Sequence, residues 1–305
     1  MPNECVIGVD VGGTKILVGI VRRDGTVAAR REHRTQTESQ DHLLAQLDAA
    51  VEDLLDDDVV AVGFGIPSRI DQRAGRVVAS ANVPLLDVDL GDRMERRFGL
   101  PIAIENDANA ATIAEWAAGA GRGTRHMVML TLGTGVGGGL ILDGRPYRGS
   151  IGAGGELGHM VLEYGGAPCQ GSCTGRGHLE VLASGHAADA LARTLLGARA
   201  TAHDLVDRAR AGEEPSREAL TELGRRLGAA IGSLVNIFDP EVVVVGGGFA
   251  AGAGDLLLQP AREIAAREAL VPARDVVRIV PAQLGPEAGL VGAGLVAFEV
   301  LDAAA

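Results

Sequence analysis

No block of lysine or arginine occurs anywhere in this chain. Its formal net charge is -12, with acidic and basic residues interspersed, which argues against nucleic acid or an anionic membrane surface as a partner. An anionic ligand must therefore be met by local groups. No apolar run reaches the roughly 18 residues that a transmembrane helix needs. The start, MPNECVIGVD, has neither the basic region nor the apolar stretch of a secretion signal, so the expected location is the cytoplasm, where thiols stay reduced. Cysteine is scarce, three in 305 residues, too few for a disulfide scaffold. Aromatic residues are fewer than in most chains, while 44 glycines accompany abundant Ala and Val. That balance suits a compact α/β enzyme of one large or two ordinary domains, not a disordered chain.

Strands alternate with helical stretches, the pattern of α/β layers. CVIGVDVGG and ILVGIV read as two strands around a glycine turn, with DGTV leading into a third. DHLLAQLDAAVEDLL has helical spacing, VVAVGFGIP is a buried strand, and LPIAIEND is another that runs into the helix DANAATIAEWAAG. HMVMLTLGTGVGGGLIL is again strand, glycine turn, strand. Shifted by about 123 positions, VIGVDVGG lies over MLTLGTGV and ILVG over GLIL, an internal repeat that predicts two similar lobes. A hinge is expected near Gly119 to Thr124.

Three glycine turns invite a chemical reading. In DVGGTK, Gly12 and Gly13 let successive N–H groups point at one spot, and Thr14 and Lys15 add a hydroxyl and a cation, a set that can cradle phosphate oxygens. Asp10, at the strand end, suits a Mg2+ ion held through water. The second turn, with Gly133, Thr134 and Gly135, offers a matching grip on a polyphosphate. The third, VVVVGGGFAAG, nominally fits a dinucleotide fingerprint, but no acid stands at the end of the next strand. Gly247 and Gly248 fit better as a wall for an adenosine moiety. In PCQGSCTGRGHLE, Cys169, Cys173 and His178 are spaced as metal ligands in a reduced compartment, whereas Cys5 lies in an apolar run and reads as a core residue. Asn106 and Asp107, where a strand meets a helix, occupy a natural N-cap.

DVGGTK, LGTGVGGGLILDGRPYRGSIGAGGELGHM, the cysteine-rich loop ending in Glu180 and VVVGGG follow one another in the order and rough spacing of the ROK sugar kinases and regulators, a family this chain resembles over nearly its whole length. The resemblance implies a two-lobed, actin-like and ribonuclease-H-like α/β fold with the ligand cleft between the lobes. It divides the chain into a small lobe, 1–118, on which a C-terminal helix of about 288–305 packs back, and a large lobe, 119–287. It implies phosphorylation of a hexose at its 6-hydroxyl, glucose above all, with ATP and Mg2+, in a homodimer or homotetramer. N-acetylmannosamine, fructose and allose remain as other hexoses.

The same resemblance makes Asp107 the general base and places Asn82, Asn106, Glu156, His159 and Glu180 around the sugar. It adds His159 to Cys169, Cys173 and His178 as the ligands of one structural Zn2+. Here the loop is two residues longer between its cysteines than the family pattern, and His178 stands where a cysteine is expected. Two thiolates and two imidazoles still make a tetrahedral zinc site. A sugar-sensing regulator of the same family would carry an N-terminal winged helix, for which the first strand near residue 5 leaves no room.

Overall fold

The computed structural model describes residues 4–80, 82–171 and 173–304. Its chain opens with β1 (Cys5–Val11), β2 (Lys15–Val21) and β3 (Val27–Arg34), an antiparallel meander in which Gly8 pairs with Gly19. Helix α1 (Gln40–Glu52) starts at Ser39, whose hydroxyl accepts from the His42 N–H and so satisfies a free donor of the first turn. Next come β4 (Val59–Ile66), a small antiparallel sheet of β5 (Ser68–Asp71), β6 (Arg76–Ser80) and β7 (Leu86–Val88), helix α2 (Leu90–Phe98), β8 (Ile102–Asn106) and α3 (Asp107–Ala118).

Beyond it lie β9 (Met127–Leu132), β10 (Val136–Leu142), the two-residue β11 (Arg145–Pro146), and a 3-10 turn at Leu157–His159. Helices α4 (Leu179–Ala183), α5 (Gly185–Leu196), α6 (Ala202–Arg210) and α7 (Glu214–Phe238) lead to β12 (Val242–Gly246). Then follow α8 (Gly248–Ala253), α9 (Asp255–Glu268), α10 (Ala273–Val276), β13 (Arg278–Pro281) and the final helix α11 (Ala288–Ala304).

Two five-stranded sheets have the same plan. One runs β3-β2-β1-β4-β8 and the other β11-β10-β9-β12-β13. In each the first strand is antiparallel to the second and parallel to the fourth. This is the ribonuclease-H-like order of the actin-like ATPases, present twice, and the 123-residue shift superposes β1 on β9 and β2 on β10. The central strands β1, β4, β9 and β12 are nearly continuous apolar runs because both faces are covered, as parallel pairing requires.

Contacts divide the chain into two compact units. Met1–Gly123, Pro146–Gly154 and Pro286–Ala305 form the first, and Thr124–Arg145 with Gly155–Gly285 the second. The reading of 119–287 as a single lobe differs at Pro146–Gly154. There Ile151 O accepts from the Gln72 N–H at 3.2 Å and Arg148 pairs with Glu105, so this stretch belongs with the first unit. Within the first unit, α1 and α2 cover one face of the sheet and α11 with α3 the other. The core of the second unit lies between β9, β10 and β12 and the helices α4 to α9. No helix among the described residues is long and apolar enough to cross a membrane.

Candidate active site

The strand-to-helix junction of the first unit carries Asn106 and Asp107. Asn106 is the N-cap: its Oδ1 accepts from the N–H groups of Ala108 and Asn109 at 2.9 and 3.1 Å, and its Nδ2 donates to Ser68 O at 3.3 Å. Capping thus fixes the first turn of α3, and Asp107 is its first residue, partly exposed, with Oδ1 accepting from the Ala108 N–H. Asp10, at the end of β1, lies close by. Its carboxyl is pushed up to about 7, first by burial and then by the charge of Asp107, with Lys15 pulling it back. The first turn of α11 closes on it: a Cβ at Gly289 would lie 2.5 Å from the Asp10 carboxylate and would have to displace it.

The DVGGTK turn is tight, with Gly12 N–H donating to Lys15 O at 2.9 Å and the Thr35 hydroxyl donating to Gly12 O at 2.6 Å. Thr14 is exposed, and Lys15 Nζ lies 3.2 Å from Glu32 on the surface. Asn82 is exposed beside this turn, its carbonyl 3.0 Å from where a Cβ of Gly13 would stand.

In the second unit the other two glycine turns meet. Gly185 and His186, at the start of α5, donate their N–H groups to Gly133 O and Thr134 O at 2.9 and 3.1 Å. Gly247 has φ +89°, and a Cβ there would lie 2.4 Å from Leu132 O, so the β12–α8 turn requires glycine and presses directly on the end of β9. Between these turns is a cavity of about 230 Å³ lined by Gly133, Thr134, Gly185, Asp189, Gly248 and Phe249. Gly135 does not line it. It packs instead against the Glu180 carboxylate, whose Oε2 accepts from the Val136 N–H at 3.0 Å.

The cysteine loop is a twisted hairpin. Leu162 N–H donates to Gly177 O, Gly177 N–H to Ala167 O and Cys169 N–H to Gly175 O. It brings the ligand atoms of His159, Cys169, Cys173 and His178 within 4.8 Å of one another. The Nδ1 atoms of His159 and His178 are 3.1 Å apart. Cys169 Sγ lies 3.7 and 3.2 Å from them, and Cys173 Sγ 3.8 Å from His178 Nδ1. The edges of a zinc tetrahedron are ~3.3 Å between nitrogens and ~3.6 Å between nitrogen and sulfur at ordinary bond lengths, so the four donors fit Zn2+. Burial pushes the Cys169 thiol up to about 11, and a metal would displace that proton. His178 is buried, whereas His159 and Glu156 are exposed. Gly158 packs on β10, its missing Cβ leaving room for Val136 O. Cys5 is a buried core residue, as its apolar setting suggests.

A family model described as the ROK family matches residues 6–299. The chain belongs to the ROK family. Among ROK relatives, a glucokinase of Streptomyces coelicolor is 36% identical over 96% of this chain and 97% of its own length. A glucokinase of Thermotoga maritima is 34% identical over 98% and 99%. A solved ROK family glucokinase of Streptomyces griseus, in complex with glucose and AMPPNP, matches with a TM-score of 0.85 at 33% identity, covering 97% of this chain and 99% of that one.

Some residues of these sites carry no sequence signal of their own. Asp189 and Phe249 enter the cavity from helices whose composition is ordinary. Glu105 does have a signal: an acid in the otherwise apolar strand LPIAIE must be buried with a partner. That partner, Arg148, lies 43 residues away in a glycine-rich stretch and nothing local marks it.

Proposed function

We propose that this protein is a glucokinase, transferring the γ-phosphoryl group of ATP to the 6-hydroxyl of glucose. What supports this most is the full-length likeness to the glucokinase solved with glucose and AMPPNP, together with an aspartate held by a capped helix start. Asp107 accepts the proton of the sugar hydroxyl as its oxygen attacks the phosphorus. Asn106, with one amide hydrogen still free of Ser68, donates to a neighbouring hydroxyl. Asn82 takes the sugar's edge.

Glu156, Glu180 and His159 bind hydroxyls on the side of the anomeric carbon. The ring nitrogen of His159 that faces away from the cysteines is the donor. The N–H groups of Gly12, Gly13, Gly133 and Gly135, with Thr14, Lys15 and Thr134, take the phosphates. The cavity beside Gly247 and Gly248 takes adenosine.

Two cofactor metals fit the residues. The Asp10 carboxyl, raised first by burial and then by the nearby Asp107, suits a divalent cation such as Mg2+ held at Asp10, where it would neutralise phosphate charge. Zn2+ would be held by His159, Cys169, Cys173 and His178 as a structural ion that locks the His159 tautomer.

An ADP-release assay over glucose, N-acetylmannosamine, fructose and allose tests the reading, and glucose should give the highest kcat/KM. Asp107→Ala should lower kcat by about 10²- to 10⁴-fold, the contribution of a placed general base. A variant within tenfold of the parent would remove Asp107 from that role. The purified protein should hold one zinc per chain.

A further inference from the structure

Glu105, next to Asn106 and Asp107 in the chain, is fully buried. Its Oε1 accepts from Gln72 Nε2 at 3.1 Å, from the backbone N–H of Asn106 at 3.0 Å and from Asn109 Nδ2 at 3.3 Å. Its Oε2 accepts from Arg148 Nε at 2.5 Å. Arg148 Nη2 reaches on to Glu299 Oε2 of α11 at 2.7 Å, and Gln72 Nε2 also donates to Ile104 O at 3.0 Å. The stretch that brings Arg148 is itself pinned. Gly154 N–H donates to Arg148 O at 2.9 Å, and a Cβ at Gly152 would lie 2.2 Å from the Gln72 side chain.

An ion pair whose carboxylate is buried is a poor source of stability, because desolvation offsets much of the attraction and an apolar pair of similar volume often does as well. What such a pair does supply is direction. The four groups around Glu105 hold the backbone on one side of Asp107, at residue 106, and the helix on the other, at residue 109. They come from four places in the fold: the β5–β6 turn, the end of β8, the first turn of α3 and the 146–154 segment.

We propose that Glu105 and Arg148 are positioning residues for phosphoryl transfer, a buried carboxylate and a half-buried guanidinium that set the orientation in which the β8–α3 junction presents Asp107. The proposal rests on the reading of Asp107 as the base. Neither residue touches the glycine turns assigned to the nucleotide, so the effect belongs to kcat and not to the KM for ATP.

Glu105→Gln keeps the size of the side chain and an oxygen for the donors of Gln72, Asn106 and Asn109, and removes the charge that Arg148 meets. Its kcat should fall by about 10- to 100-fold, the scale of a misplacement of roughly 1 Å, with the KM for ATP within about twofold of the parent, since nucleotide binding is uniform across both. Arg148→Met should behave alike, and Arg148→Lys, which restores a cation at Glu105 but not the planar fork that also reaches Glu299, should recover part of the loss. On an Asp107→Ala background, Glu105→Gln should cause no further loss, because a residue acting through the base has nothing left to position.

Three results would overturn the proposal while Asp107→Ala keeps only its residual, measurable activity: full kcat in Glu105→Gln, an equal fold-loss on both backgrounds, or no recovery at all in Arg148→Lys. Parent-like activity in Asp107→Ala would instead overturn the base assignment, a distinguishable outcome. If Glu105→Gln does not fold, Gln72→Leu removes one donor from outside the junction and leaves the ion pair. It should lower kcat about three- to tenfold, and an unchanged kcat there counts against the proposal.

Discussion

Glu180 joins two parts of the second unit through one carboxylate. Oε2 is bonded to the Val136 N–H beside the second glycine turn, and Oε1 lies 3.9 Å from Cys169 Sγ. Asp10 shows the opposite condition, a carboxyl whose surroundings oppose its charge. Because its folded pKa is raised above the unfolded value of 3.8 to about 7, the folded state binds more protons between those values. Stability therefore falls as pH rises from about 4 to 7, and the full penalty, an upper bound of about 4 kcal/mol, persists above pH 7. In the absence of Mg2+ and nucleotide, Asp10→Asn should raise the Tm at pH 8 while activity drops. A variant melting below the parent would show that Asp10 is a net stabiliser. Gly247→Ala faces both a left-handed backbone and Leu132 O, and should lower stability by more than about 1 kcal/mol, measurable by urea denaturation.

None of the described residues from Val161 to Arg176 is buried, and the strand character of the cysteine loop rests on the isolated bridges Val161 to His178 and Pro168 to Arg176. Zinc should therefore set its order. Chelation, or Cys173→Ser, should expose residues 160–178 to proteolysis and raise the KM for glucose more than the KM for ATP. An equal rise in both would mean that the loop serves the whole unit. Helix α11 depends on glycine in another way. A Cβ at Gly292 would lie 1.8 Å from Ala110 O, and one at Gly8 or Gly63 would lie 2.3 or 1.9 Å from the α11 carbonyls of Leu290 and Ala293. Gly292→Val should leave little folded protein, as judged by circular dichroism.

Legibility at this level followed range. The Asn106 cap was readable because capping is local, as were β1, β2, α1, β4, β8 and α3, whose periodicity is strong, whereas the reading of Asp107 as a base came from the family resemblance. The sheet β5–β7 is short and its strands alternate poorly, and α4 is five residues long, so neither leaves a clear pattern. The segment 146–154 is a loop by composition, and its membership in the first unit depends on Gln72, Glu105 and Glu299, all distant in sequence.

For the molecule as a whole, the repeat was visible because both β-hairpins share spacing around a glycine turn, whereas the single helix α1 between the third and fourth strands of the first sheet is answered by four, α4 to α7, in the second. The net charge of -12 opposes an anionic nucleotide at long range. The association rate for ATP with Mg2+ should therefore rise with ionic strength from about 10 to 150 mM, as a Debye length near 30 Å shrinks toward 8 Å. A rate that falls with salt, measured by stopped flow, would mean that local donors dominate the field.

The face of the first sheet that includes Val6, Leu17 and Ala61 is buried with Leu290, Ala297 and Phe298 of α11. On the ribosome that face is covered by α3 alone until residues 288–304 have been made. Nascent chains stalled before residue 288 should accordingly remain protease-sensitive through their first hundred residues and recruit a holdase chaperone, and release of the finished chain should end both at once.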